Sequence, residues 1–279
     1  DIKLKKSRLN NLKKLSKRFV FYKNDISNLS FLKKIFKKNN FDYVINLAAQ
    51  AGVRYSIKNP STYYNSNVNG FFNILECSRL YKIKHLIFAS TSSVYGNSKK
   101  FPLKETENTD SPLSFYAATK KSNEVLAHSY SNIYKLPCSG LRFFTVYGPY
   151  GRPDMCIFLF TEAILKRKKI QLFNKGNHIR DFTYVDDVIN SMIKIIKKPS
   201  KNKIPYEIFN IASSKPTHLR YFLKTIENKL GSKTKIELKK MQQGDVYKTH
   251  GNVNKVIKKT KFIPKVKVEI GIDQFLKWY

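Results

Sequence analysis

His85-Leu86-Ile87-Phe88-Ala89-Ser90-Thr91-Ser92-Ser93-Val94-Tyr95-Gly96 joins a short apolar run to a turn rich in hydroxyls. Residues 85–89 read as a strand, and so do the runs at 19–22, 43–47 and 139–143. Between them lie longer amphipathic stretches, at 29–38, 60–81 and 113–134, which read as helices. Strands alternating with helices of this length imply βαβ units and a mostly parallel sheet. In open α/β sheets ligands bind at the carboxyl ends of the strands. The hydroxyls of Thr91, Ser92 and Ser93 fall at such an end.

Beyond residue 150 the elements are shorter and the loops richer in Gly, Pro and Asn. Residues 156–166, 185–197 and 217–230 are candidate helices, the last followed by Gly231 as a stop. The reading is α/β with two parts. Residues 1–150 form a first domain built on the parallel sheet, and residues 151–279 a smaller α/β lobe over the ligand, with some segments returning to the first domain.

The chain has 279 residues, 42% of them hydrophobic, enough for a real core. Its longest apolar runs, such as 155–160, fall far short of the roughly 20 residues that cross a bilayer. The first stretch is basic and polar, with no signal-peptide core. Cys77, Cys138 and Cys156 are odd in number and widely spaced, which argues against a disulfide framework and for a reducing cytoplasm. His85, His128, His178, His218 and His250 form no metal-ligand spacing, so no metal is expected. The net charge of +34 comes from 44 Lys and nine Arg against 19 acidic residues. The lysines are spread along the chain rather than gathered with aromatics into a nucleic-acid module. They read as a solvated surface whose field favours an anionic ligand. Asp186-Asp187 follows a strand and opens a helix, so an N-cap role suits it better than a metal. Phe71-Phe72 and Phe143-Phe144 read as core.

The chemistry centres on Tyr116-Ala117-Ala118-Thr119-Lys120, a YxxxK on a helix. Tyr and Lys at i and i+4 share one face. A phenol of ordinary pKa near 10 is a poor base at neutral pH. A lysine cation and a charged nicotinamide nearby favour the phenolate, which can take a proton from a sugar hydroxyl.

With Thr91 upstream and YxxxK downstream, the sequence resembles the extended short-chain dehydrogenases/reductases of the nucleotide-sugar epimerase/dehydratase family. The likeness is nearest to UDP-glucuronate 4-epimerases. It runs through Asn46-Leu47-Ala48-Ala49-Gln50-Ala51-Gly52-Val53-Arg54-Tyr55-Ser56, Arg142-Phe143-Phe144-Thr145-Val146-Tyr147-Gly148-Pro149 and Gly151-Arg152-Pro153-Asp154-Met155. It continues in Arg180-Asp181-Phe182-Thr183-Tyr184-Val185-Asp186-Asp187 and Gly244-Asp245. The resemblance implies a Rossmann-like doubly wound parallel sheet, NAD as cofactor, a UDP-sugar substrate and a homodimer. It implies Thr91, Tyr116 and Lys120 as the catalytic set. Asp25 and Ile26 would meet the adenine, and Leu47, Ala48, Ala49 and Asn67 would lie along NAD. Gln50, Arg54, Ser92, Ser93, Thr145, Arg152, Arg180 and Asp245 would line the substrate. Arg180 would meet the diphosphate, and Arg54 or Arg152 a carboxylate at C6.

Related dehydratases carry Asp-Glu just after the catalytic Thr, and related decarboxylases carry Glu at the second of those positions. Here both are serines, Ser92 and Ser93. The site lacks machinery for elimination, so C4 oxidation and re-reduction on a resident NAD is the expected reaction. The family's opening strand, GxxGxxG turn and helix have no counterpart. The earliest glycine is Gly52, and Gln243 stands where this branch has Pro. Strands 1 and 2 of the family fold, roughly 35–40 residues on the scale of one βαβ unit, are expected to be missing before Asp1. Their loss would orphan residues 19–22, expose the edge at 43–47 and weaken NAD binding. A 4-epimerase for another UDP-sugar, a silent fragment and a nucleic-acid binder are the alternatives.

Overall fold

The structure is a computed structural model, and it describes residues 2–279. The first half contains α1 (Ile2–Leu15), α2 (Leu29–Asn39), β1 (Tyr43–Asn46), α3 (Val53–Lys58) and α4 (Pro60–Tyr63). A π-helical turn, Tyr64–Asn69, then leads to α5 (Gly70–Leu80), β2 (His85–Thr91), α6 (Phe115–Tyr134) and β3 (Cys138–Phe143). The second half contains β4 (Thr145–Tyr147), α7 (Cys156–Leu165), β5 (Ile170–Leu172), β6 (Ile179–Tyr184), α8 (Val185–Ile196) and β7 (Tyr206–Ile211). It closes with β8 (Pro216–His218), α9 (Leu219–Leu230), β9 (Ile236–Leu238), α10 (Asn254–Thr260) and α11 (Val268–Trp278).

The main sheet has the order β1-β2-β3-β7, every pair parallel. Alternation along β2 explains why it is covered on both sides. Leu86 and Phe88 join a core with Leu32 and Phe36 of α2, Phe71 and Leu75 of α5, and Ala127 of α6. Ile87 joins the opposite core with Val188, Met192 and Ile195 of α8 and Val256 of α10. Gly140 of β3 is required by this packing, because a Cβ there would lie 2.4 Å from Ile208 Cδ1 and 2.7 Å from Phe88 Cζ.

A third core builds the second lobe around β6. Phe182 stacks on Phe222 of α9 with centroids 4.0 Å apart, joined by Tyr147, Ile157, Ile164 and Phe275. β6 pairs parallel with β4 and antiparallel with β8. Among the described residues no helix is long and apolar enough to cross a membrane.

Several expectations need correction. Residues 19–22 form no strand, and Val20 and Phe21 are 63% and 51% exposed. Among the described residues no neighbour strand offers its backbone groups a ladder. β1 is accordingly an edge, with Tyr43, Ile45 and Leu47 about half exposed. The helix expected at 60–81 runs on to Leu80 but carries the π-turn Tyr64–Asn69 within it. α6 starts at Phe115, because Ser114 caps it by accepting from the Ala117 N–H at 3.2 Å. α9 starts at Leu219, because residues 216–218 pair with β6, and it ends at Gly231 with φ +62°. Asp187 is not an N-cap; it lies in the first turn of α8 and its Oδ2 accepts from the N–H groups of Lys265 and Val266. Phe72 is exposed rather than core.

Candidate active site

The carboxyl end of β2 faces one side of α6. Thr91, the last residue of β2, is buried; its hydroxyl donates to Ser93 Oγ and accepts from the Ser93 N–H, both at 3.2 Å. Tyr116 lies close enough to the Thr91 hydroxyl and the Arg152 guanidinium for both to favour its phenolate. Lys120, one turn further along, is buried and donates from Nζ to the Ala89 carbonyl at 3.0 Å. The structure therefore brings Thr91, Tyr116 and Lys120 together as the sequence implies.

The electrostatics differ from expectation. Burial lifts the Tyr116 phenol above its ordinary value, against the Thr91 hydrogen bond and the Arg152 charge, which favour the phenolate. The Arg152 guanidinium is one cation acting on the phenol. Burial brings the Lys120 ammonium down to about 8. An ammonium has three donors, so the bond to Ala89 leaves Lys120 able to hold a ribose hydroxyl as well.

Asn67 comes from the π-turn, a distortion that recurs at functional sites. Its Oδ1 accepts from the Gln50 N–H at 2.8 Å, and its Nδ2 donates to the Gln50 carbonyl and to Thr119 Oγ1, both at 3.0 Å. Its amide is thus spent on fixing the loop after β1 against α6. Ser56 makes a parallel tie, its hydroxyl accepting from the Tyr116 N–H at 3.1 Å and donating to the Val53 carbonyl at 2.6 Å. Buried Tyr63 sets its ring edge-on to Tyr116, with centroids 6.1 Å apart. Sequence reasoning missed Ser56 and Tyr63; only their place beside Arg54 and after a helix-opening Pro signals them.

Leu47 and Ala48 are exposed beyond β1, with Ala49 and Gln50 half-buried. Asp25 is exposed and ionised below its ordinary range, because the Ser27 N–H and hydroxyl donate to it. The Ile26 carbonyl is held by Asn73 at 3.0 Å, and its side chain fills the space a Cβ at Gly70 would take.

Arg152 and Arg54 both act on Asp154, and Arg54 and Arg180 both lie near Asp245. Arg152 forks onto Asp154, with Nε to Oδ1 at 3.0 Å. A Cβ on Gly52 would lie 3.6 Å from the Arg152 guanidinium. Arg54 lies 4.8 Å over the Phe173 ring and 3.9 Å from Asp245. Arg180 donates to the carbonyls of Ile179 and Tyr247, and burial lowers its pKa. Ser92 opens a short 3-10 turn, and Thr145 opens β4 beside Phe182.

This donor set fits two ends of NAD. An exposed carboxylate beside an apolar edge suits adenine, and Tyr116 with Lys120 suits the nicotinamide ribose. No glycine-rich turn for the pyrophosphate stands among these residues.

Comparison with known proteins agrees. The model of the NAD dependent epimerase/dehydratase family matches residues 3–212. Protein CapI of Staphylococcus aureus is 47% identical over 293 aligned residues, covering 100% of this chain and 87% of its own. A probable UDP-glucuronate 4-epimerase of Rhizobium meliloti is 41% identical, covering 85% of this chain and 74% of its own. The crystal structure of UDP-glucuronic acid 4-epimerase from Bacillus cereus, in complex with UDP-glucuronic acid and NAD, superimposes with a TM-score of 0.92. That match has 31% identity and covers 99% of this chain and 86% of the other. The chain is an enzyme of the NAD-dependent epimerase/dehydratase family, and NAD is its cofactor.

Proposed function

We propose that the chain interconverts UDP-glucuronate and UDP-galacturonate by inverting C4 through a 4-keto sugar. The observation that carries this reading is the juxtaposition of the Tyr116 phenol, the Thr91 hydroxyl and the Arg152 guanidinium, with serines rather than carboxylates at positions 92 and 93. Bound NAD supplies the acceptor and donor for hydride at C4. Tyr116, as phenolate, takes the 4-hydroxyl proton, with Thr91 bridging the two oxygens. Lys120 and Arg152 stabilise the phenolate charge. With serines at 92 and 93, the site lacks a carboxylate there to promote elimination of water from the keto sugar. It turns about its diphosphate link, and Tyr116 returns the proton after reduction on the opposite face. Arg180 is positioned for the diphosphate, and Arg152 or Arg54 for the C6 carboxylate, where a guanidinium gives bidentate recognition. Residues 1–150 would hold NAD and residues 151–279 the UDP-sugar. Exposed Phe72 and Leu80 on α5 and Val125 and Ile133 on α6 suit pairing with a second copy.

A panel of UDP-glucuronate, UDP-glucose and UDP-N-acetylglucosamine, each with saturating NAD, tests the reading. The uronate should be converted and the neutral sugars left. Conversion of a neutral sugar with the uronate untouched would overturn it.

A further inference from the structure

Tyr116, Lys120 and Glu124 stand at i, i+4 and i+8 on α6, so they share one face. Each meets a different residue at the end of β2. Tyr116 meets the Thr91 hydroxyl, Lys120 the Ala89 carbonyl, and Glu124 the Ser90 hydroxyl, which donates to Oε1 at 2.6 Å. The third rung is the most deeply fixed. Glu124 and Arg142 side chains are 5% and 4% exposed and form a two-pronged pair, Nε to Oε1 at 2.9 Å and a terminal nitrogen to Oε2 at 2.8 Å. Arg142 stands opposite Ser90 in the β2–β3 register. Its guanidinium also lies 4.7 Å over the Tyr95 ring, whose hydroxyl donates to Asn210 Oδ1 at 2.6 Å. The backbone carbonyl of Glu124 accepts from Tyr206 on β7. Glu124 thus ties α6 to β2 and β3 through its carboxylate and to β7 through its backbone carbonyl.

The other two rungs carry the groups assigned to catalysis. Ser90 and Glu124 touch no site for substrate or cofactor. We propose that they are positioning residues, a fixed rung that holds the α6–β2 register and so keeps Tyr116 against Thr91. The inference rests on the catalytic role given to Tyr116 and Thr91 above. A buried ion pair alone gives no such specificity, since apolar replacements of buried pairs are often neutral for stability. The added observation is the direct Ser90 bond one residue from Thr91. A misplacement of reacting groups by an ångström costs on the order of a hundredfold in rate.

The test is Ser90→Ala, which removes the rung and leaves the Glu124–Arg142 pair whole. Full-chain protein is labelled with 3-fluorotyrosine, and the residue 116 resonance is identified with Tyr116→Phe and titrated by fluorine NMR. This readout needs no substrate, so it stands even if the substrate assignment fails. Tyr116 faces Tyr63 and Arg152 as well as Thr91. Losing the Thr91 bond should raise the pH at which residue 116 ionises. In turnover, kcat should fall on the order of tenfold with KM unchanged, and its acid limb should move to higher pH. Glu124→Gln keeps an oxygen for Ser90 but sets an amide N–H against the Arg142 guanidinium, so it should move the titration in the same direction. Should Ser90→Ala fail to fold, Ser90→Cys, similar in size and a weaker donor, must show the same direction of shift. A residue 116 titration identical in Ser90→Ala and the unsubstituted chain would overturn the proposal. So would a shift seen in Glu124→Gln alone.

Discussion

Replacing Lys120 by Met should stabilise the cofactor-free chain at neutral pH while abolishing turnover. Lys120 is only 3% exposed, and burial lowers its pKa from 10.5 to about 8. That interval corresponds to a cost on the order of 3 kcal/mol for keeping the ammonium buried. The hydrogen bond to the Ala89 carbonyl returns about 1 kcal/mol. Met fills nearly the same volume without a charge, so Lys120→Met should gain roughly 2 kcal/mol at pH 7. The pH dependence fixes the cause. Between about 8 and 10.5 the unfolded chain holds a proton on Lys120 that the folded chain has released. Stability of the unsubstituted chain therefore rises with pH across that window, and the advantage of Lys120→Met shrinks to nothing by its upper end. Urea unfolding of both proteins at pH 7, 9 and 10.5 reads this directly. A destabilised variant at pH 7, or a difference independent of pH, would refute the reasoning. The expected outcome is a trade of stability for function at one catalytic residue.

Acid should weaken the fold through two histidines. Burial lowers the pKa of His85, which bridges Ser139 and the Ile196 carbonyl, and takes His178 down to about 4, helped by Arg180. His178 stays neutral in the folded chain while the unfolded chain protonates near 6.5, and His85 takes a proton less readily folded than unfolded. Stability should thus fall on the order of 1–2 kcal/mol as pH drops from about 6.5 to about 4, and His178→Met should remove part of that slope in urea titrations. Gly271→Ala should cost roughly 1–3 kcal/mol in unfolding free energy, because its Cβ would lie 2.1 Å from the Tyr147 hydroxyl oxygen in a packed aromatic core. Arg152→Leu should raise KM for a UDP-hexuronate by an order of magnitude or more, and its kcat–pH acid limb should move up because Arg152 favours the phenolate.

The trio proposed for catalysis was legible because each member sits at a position that local pattern fixes. Thr91 ends an apolar run, and Tyr116 and Lys120 share a helical face. Gly231 as a helix stop was legible for the same reason. What supports the trio was not. Glu124 lies one turn beyond Lys120, but its meaning depends on Arg142, which reaches it only through the parallel register of β3 against β2. Asn67 was placed along the cofactor by resemblance. The π-turn that aims its amide at Gln50 and Thr119 leaves no mark in periodicity. Residues 19–22 were misread because an apolar run becomes a strand only where another strand accepts its hydrogen bonds.

The central claim is most directly tested by incubating the purified chain with UDP-glucuronate and saturating NAD, and following the sugar protons by NMR. The account predicts UDP-galacturonate rising to equilibrium with no net change in nicotinamide absorbance, and silence in Tyr116→Phe. Loss of carbon dioxide or water from the sugar, or turnover persisting in Tyr116→Phe, would contradict it.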